Sequence, residues 1–308
     1  MSSLNICSPF TLSEQLNVTY IILDGHVEYL YFMVVFIVYI LILCSNSTIV
    51  YLIWKHQDLH EPMYIFIAAL LMNSVFLSTN IYPKLLMDFL SEKQIISYQA
   101  CLVQYFMFYA LAGSEFLLLA AMAYDRYVSI CKPLHYPTIM GKRTVCIFLA
   151  LAWFLPACHL AGLAIICSHQ KLCSFTLKVI YCNNTIYKLS ISVFGVFTLI
   201  NDVVLPVIFI IFSYTRILII CYRSSGEVRK KAAQTCLPHL LLLINYFFLI
   251  TYDLIIVRLE SDFVKTARLI MTLQLVLYNP LFNPIIYGLK MKEISKHLKR
   301  LLCQDKIK

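Results

Sequence analysis

Apolar residues run along this chain in long blocks that lack the three-to-four-residue polar alternation of a soluble helix, and short clusters of charge, Asn, Pro and Gly separate the blocks. Runs near the roughly 20 residues that cross the hydrocarbon of a bilayer lie at 29–54, 63–83, 98–122, 144–167, 191–221, 235–257 and 266–289. Seven membrane-spanning helices are therefore predicted. The second run is the most diluted, carrying Asn73, Ser74, Ser78, Thr79 and Asn80. The third and fifth run on past a bilayer, which predicts tilt or protrusion into loops. After the last run, Leu289, Ile294, Leu298, Leu301 and Leu302 alternate with Lys292, Lys296, Lys299 and Arg300. That spacing predicts a basic amphipathic helix lying on a membrane surface, with Cys303 as a lipidation candidate or a free thiol.

Composition agrees: 61% hydrophobic and 13% charged residues over 308 positions exclude an ordinary soluble domain. The expected fold class is an all-α membrane protein, a seven-transmembrane helix bundle with a short amphipathic C-terminal helix. The expected divisions are a tail over 1–28, the bundle over 29–289 and a cytoplasmic helix and tail over 290–308.

Charge sets the orientation. With the N-terminus outside, seventeen of the 25 Lys and Arg fall on the inner side, among them Arg126, Lys132, Arg229, Lys230 and Lys231, and none precedes the first span. The net charge of +9 then faces anionic membrane lipid and is no nucleic-acid footprint. The first residues lack the basic leader and apolar core of a cleavable signal, so the first span is expected to direct its own insertion. Asn17-Val18-Thr19 in the outside tail is the expected glycosylation acceptor. Asn183 heads a second sequon crowded by Cys182, and Asn46-Ser47-Thr48 is a chance match inside the first span.

Of 12 cysteines only Cys7, Cys101, Cys167, Cys173 and Cys182 lie where oxidising conditions reach them. No two of the others have metal-ligand spacing, and no cofactor or metal is expected.

Two motifs carry the chemistry. Met122-Ala-Tyr-Asp-Arg-Tyr127 ends the third run, and its Arg126 cannot lose its charge, so a membrane boundary lies beside it. Asp125 and Arg126 are adjacent on a helix and point to different sides, so they meet only through side-chain reach. In the last run Tyr278-Asn279-Pro280 and Phe282-Asn-Pro-Ile-Ile-Tyr287 place prolines four residues apart. Each removes a backbone donor and crowds the preceding turn, so the helix bends and Asn side chains or water must serve the freed carbonyls.

Together these motifs resemble the signature of the rhodopsin-like G protein-coupled receptors. The longer stretch from Met122 through Cys131, Pro133 and Leu134 to Tyr136 resembles the odorant receptor branch, as do Pro62-Met63-Tyr64, Ser213-Tyr214 and the segment from Lys231 to His239 and Leu240. The pattern at Tyr64–Leu70 and Asn73-Ser74 looks like fish odorant receptors, whose ligands would be water-soluble.

The resemblance implies a disulfide between Cys101 and Cys182. It implies a switch in which Arg126, restrained at rest by Asp125 beside Tyr127, turns toward Tyr214 and Tyr287 when the inner end of the sixth span moves outward, with His239, Asn283 and Pro284 in the same machinery. It implies a heterotrimeric G protein as partner, of the stimulatory type that raises cyclic AMP, and residence in the plasma membrane of a sensory cilium. The polar core is expected from Asn46, Ser74 and Glu115. The family's second-span acid is replaced by Ser74, which puts a sodium pocket in doubt. Ligand contact is expected from Tyr105, Phe108, Tyr109, Ala112, Thr198, Asp202, Phe247, Ile250, Thr251 and Leu254. Phe108 stands where amine receptors carry an aspartate, so a compact, partly apolar odorant fits better than a primary amine. The buried acid Asp202 needs a partner, either a cationic ligand, Thr198 or water.

Two other readings remain from sequence: a receptor of this class for a non-odorant small ligand, and a seven-span transporter. No duplicated motif supports the transporter, and no nucleophile–base set supports an enzyme.

Overall fold

The computed structural model describes residues 15–18, 25–91, 95–168, 176–177, 182, 193–222, 240, 243–250, 274, 277–278, 280–289 and 291–304. Five described helices are long and apolar enough to cross a membrane. They are α1 (Gly25–Lys55), α2 (Pro62–Phe89), α3 (Tyr98–Cys131), α5 (Lys142–Ser168) and the composite of α6 (Val193–Leu199), a π-helical turn (Ile200–Val204) and α7 (Leu205–Tyr222). A short α4 (Tyr136–Ile139) lies between α3 and α5. Residues 243–250 and 280–289 are helical, as the sixth and seventh runs predict, and the amphipathic C-terminal helix spans Lys292–Gln304.

Local chemistry explains the helix ends and breaks. Pro62 opens α2, where its missing N–H is not needed. Ser97 caps α3 by accepting from the Ala100 N–H at 3.3 Å. The π turn has a cause in Pro206: its ring crowds the carbonyl of Asp202, and the chain widens so that the Leu205 N–H reaches back to the Ile200 carbonyl.

Packing places α3 at the centre, against α2, α5 and α7, while α1 packs on α2 and on the C-terminal helix. The polar residues that dilute the second run point inward: Asn73, Ser74 and Ser78 are buried. Apolar side chains point outward instead, including Leu30, Ile37 and Leu41 of α1 and Ile208, Ile211 and Phe212 of α7. Polar inside and apolar outside suits a hydrocarbon surround. At one end of the bundle β1 (Gln15–Val18) lies between β2 (Ile95–Ser97), antiparallel, and β3 (Thr176–Leu177), parallel. Asn17 stands in this central strand, opposite Ile95 and Thr176. A disulfide joins Cys101 at the start of α3 to Cys182, whose N–H also donates to Gln104 Oε1 at 3.0 Å.

Candidate functional site

Three polar clusters are strung along the bundle. At the end opposite the sheet, α3 carries Asp125, fully buried, with Arg126 beside it. Arg126 reaches across its own backbone: Nη2 donates to Asp125 Oδ2 at 2.7 Å and Nε to the same oxygen at 3.1 Å. This is the side-on contact that adjacent helix positions allow, not a fork over both oxygens. The other oxygen, Oδ1, accepts from the Tyr136 hydroxyl at 2.8 Å. Burial first, and the Asp125 charge next, push the Tyr136 hydroxyl well above the ordinary phenol value, so it stays a donor. Tyr127 packs against the core, and Tyr214 and Tyr287 are buried. His239 lies outside the described residues.

In the middle of the bundle the prolines of the last run find the partner their chemistry requires. Pro284 has no N–H for the carbonyl of Pro280, and Asn46 Nδ2 donates to that carbonyl at 2.8 Å. Asn283 Nδ2 lies 3.1 Å from Ser74 Oγ and 3.5 Å from Glu115 Oε1. Asn46, Ser74 and Glu115, expected as a polar core, are all buried; Asn283 joins the latter two, while Asn46 serves the neighbouring turn.

Toward the sheet end lies a cluster of aromatic side chains with a buried acid nearby. Tyr109 packs on Tyr105 at 4.9 Å and edge-on to Phe108 at 5.0 Å. Phe108, Ala112 and Ile250 belong to one buried cluster, with Tyr109 and Phe247 against it. Thr198 and Asp202 are buried one turn apart, across α6 and the π turn. Thr251 and Leu254 lie outside the described residues. Asp202 has a partner the sequence reading did not name: His159 Nδ1, from α5, lies 2.8 Å from Asp202 Oδ1. A lone His in an apolar helix gives no signal of its own, and only the crossing of α5 with the π turn reveals the pair. Gly113 makes that crossing possible, since a Cβ there would stand 3.0 Å from Pro156 Cβ and 3.3 Å from Asp202 Cβ.

An aromatic cluster near the sheet, a buried polar core in the middle and the Asp125–Arg126 pair at the other end lie along the bundle, and the comparisons bear on their kind. Residues 35–305 match the family model described as olfactory receptor. The chain belongs to the olfactory receptor family. It is 32% identical to human olfactory receptor 13C2 over 91% of this chain and 93% of that one. It is 34% identical to human olfactory receptor 2T5 over 87% and 88% of the two chains. Among solved structures, squid rhodopsin superposes with a TM-score of 0.73 at 18% identity, covering 91% of this chain and 82% of that one. The fold is thus a seven-transmembrane bundle, and this olfactory receptor family member is a G protein-coupled odorant receptor and not an enzyme.

Proposed function

We propose that this receptor sits in the plasma membrane of a sensory cilium with the sheet and the Cys101–Cys182 bridge outside, and that it raises cyclic AMP through a stimulatory olfactory G protein. The ligand is a compact, partly apolar molecule held between the Tyr105–Phe108–Tyr109 wall, Phe247 and Ile250, with Asp202 and His159 as its polar edge. The observation that carries this reading is the two-sided restraint of Asp125, by Arg126 and by Tyr136. Such a contact holds a cation at the inner mouth until a helix movement releases it, and a ligand that prefers the released packing shifts the population toward it. Asn17 is the glycan acceptor, and the basic face of the C-terminal helix rests on anionic lipid.

The test is a ligand panel on cells reporting cyclic AMP, with Arg126→Ala beside the parent and surface staining of both. The expected result is lost signalling with retained delivery. A normal response from Arg126→Ala would overturn the switch, and a parent response through another G protein alone would overturn the stimulatory assignment.

A further inference from the structure

Among the described residues, a cluster of chemistry-bearing side chains lies away from the sites above. The turn after α1 carries His56 and, in its 3-10 segment Gln57–Leu59, Asp58; the C-terminal helix brings His297 to them from the far end of the sequence. His297 Nε2 donates to Asp58 Oδ2 at 2.8 Å, and the His56 and His297 rings stack with centroids 3.9 Å apart at 27°. A ring nitrogen from each histidine and an Asp58 carboxylate oxygen all lie within 4.8 Å of one another. His297 is buried while Asp58 is exposed, so the cluster is anchored on one side and open on the other.

We propose that His56, Asp58 and His297 form a binding site for a divalent transition metal of the zinc class, which clips the loop after α1 to the C-terminal helix. Two imidazoles and a carboxylate are a donor set that zinc accepts, with water completing the sphere on the open side. Ligand atoms about 2.0–2.1 Å from a tetrahedral zinc lie about 3.3 Å apart, so the widest gap closes by up to about 1.5 Å while the His297–Asp58 contact opens by about half an ångström. Asp58 is exposed and lies on a short turn beside His56.

His297 Nε2 carries a hydrogen toward Asp58, and that hydrogen leaves when the metal takes its place. Lys55 and Arg300 add positive charge near His56 and oppose the ion, but the Lys55 ammonium is turned over the Tyr51 ring, 5.4 Å from its centroid. The competing arrangement is a metal-free hydrogen bond and ring stack, which would hold the same elements with no ion.

The experiment uses the full-length receptor in lipid nanodiscs, stripped with chelator and titrated with Zn²⁺, with Co²⁺ as a spectroscopic probe. His56→Phe keeps a ring to stack on His297 but removes a ligand, and Asp58→Asn keeps a hydrogen-bond acceptor but removes the charge. The expected result is one Zn²⁺ fewer bound per chain, or at least about tenfold weaker binding, in each variant. The parent should also show the intense visible bands of tetrahedral Co²⁺, absent from both variants. Zinc uptake and Co²⁺ spectra identical in the parent and both variants, or no stoichiometric uptake by the parent, would overturn the site. Direct binding does not depend on ligand or G protein, so this outcome stands apart from that of the receptor assay.

Discussion

Asn46 of α1 donates to the carbonyl of Pro280 at 2.8 Å, supplying the hydrogen that Pro284, four residues further on, does not have. The same amide nitrogen also donates to the Ile42 carbonyl at 2.8 Å, so one buried side chain ties α1 to the bend of the last span. Replacing Asn46 with Leu leaves a buried carbonyl unserved, at a cost of about 1–3 kcal/mol. Asn46→Leu should therefore lower the thermal stability of the purified receptor. Adding Pro284→Ala restores a backbone donor to that carbonyl and should recover part of the loss. Equal, additive losses from the two changes would show that the amide and the proline are not coupled.

Tyr136 offers a cleaner handle on the resting state than Arg126 does. Its hydroxyl holds Asp125 at 2.8 Å from the start of α4, so Tyr136→Phe removes one restraint and leaves the guanidinium free to act. A hydrogen bond to a charged group contributes about 1.5–3 kcal/mol, and each 1.4 kcal/mol shifts an equilibrium about tenfold. Ligand-free cyclic AMP should rise by about tenfold or until the reporter saturates. Because Tyr136 stays protonated well past neutrality, this restraint should not vary from pH 6 to pH 8. A basal signal unchanged by Tyr136→Phe would show that the contact is not a restraint.

How far the sequence carried these conclusions depended on whether one residue or two elements defined the feature. The helices followed from apolar run length, and the bend followed from the paired prolines, because a missing N–H is a property of one residue. The Asp125–Arg126 contact was legible for the same reason: adjacency on a helix fixes its geometry. The third helix was expected to span 98–122, yet it runs to Cys131, since the apolar count stops at the bilayer boundary while backbone hydrogen bonding continues beyond it. Asp202's partner could not be read, because His159 meets it only where α5 crosses the π turn. The His56–Asp58–His297 cluster was hidden for the same reason, its members being brought together by the docking of the C-terminal helix.

Ser74 marks a departure with a measurable consequence. Asn283 lies between Ser74 Oγ and Glu115 Oε1, so this core holds a carboxyl group on one side and a hydroxyl on the other. A monovalent cation among hard oxygen ligands is held better by two carboxylates than by one. Ser74→Asp should make agonist potency fall several-fold when sodium replaces an organic cation in the bath, while the parent changes little. Sodium sensitivity already present in the parent would show that Glu115 suffices.

The His159–Asp202 contact separates a structural acid from a ligand-binding one. Both groups are largely buried, and the imidazole is the carboxylate's partner across two elements. Removing one member of a buried hydrogen-bonded pair leaves the other's polar atom unserved, at about 1–3 kcal/mol, whereas removing both costs less. His159→Phe should therefore sharply reduce surface delivery, and His159→Phe with Asp202→Asn should recover much of it. Function splits the readings further. If Asp202 also meets the ligand, the rescued double variant reaches the surface but responds to agonist only at concentrations at least about tenfold higher, the scale of one lost charged hydrogen bond. If the acid serves packing alone, the double variant responds with the parent's potency once expression is matched. A concentration–response series normalised to surface staining decides between them, and parent-like potency would remove Asp202 from the ligand site.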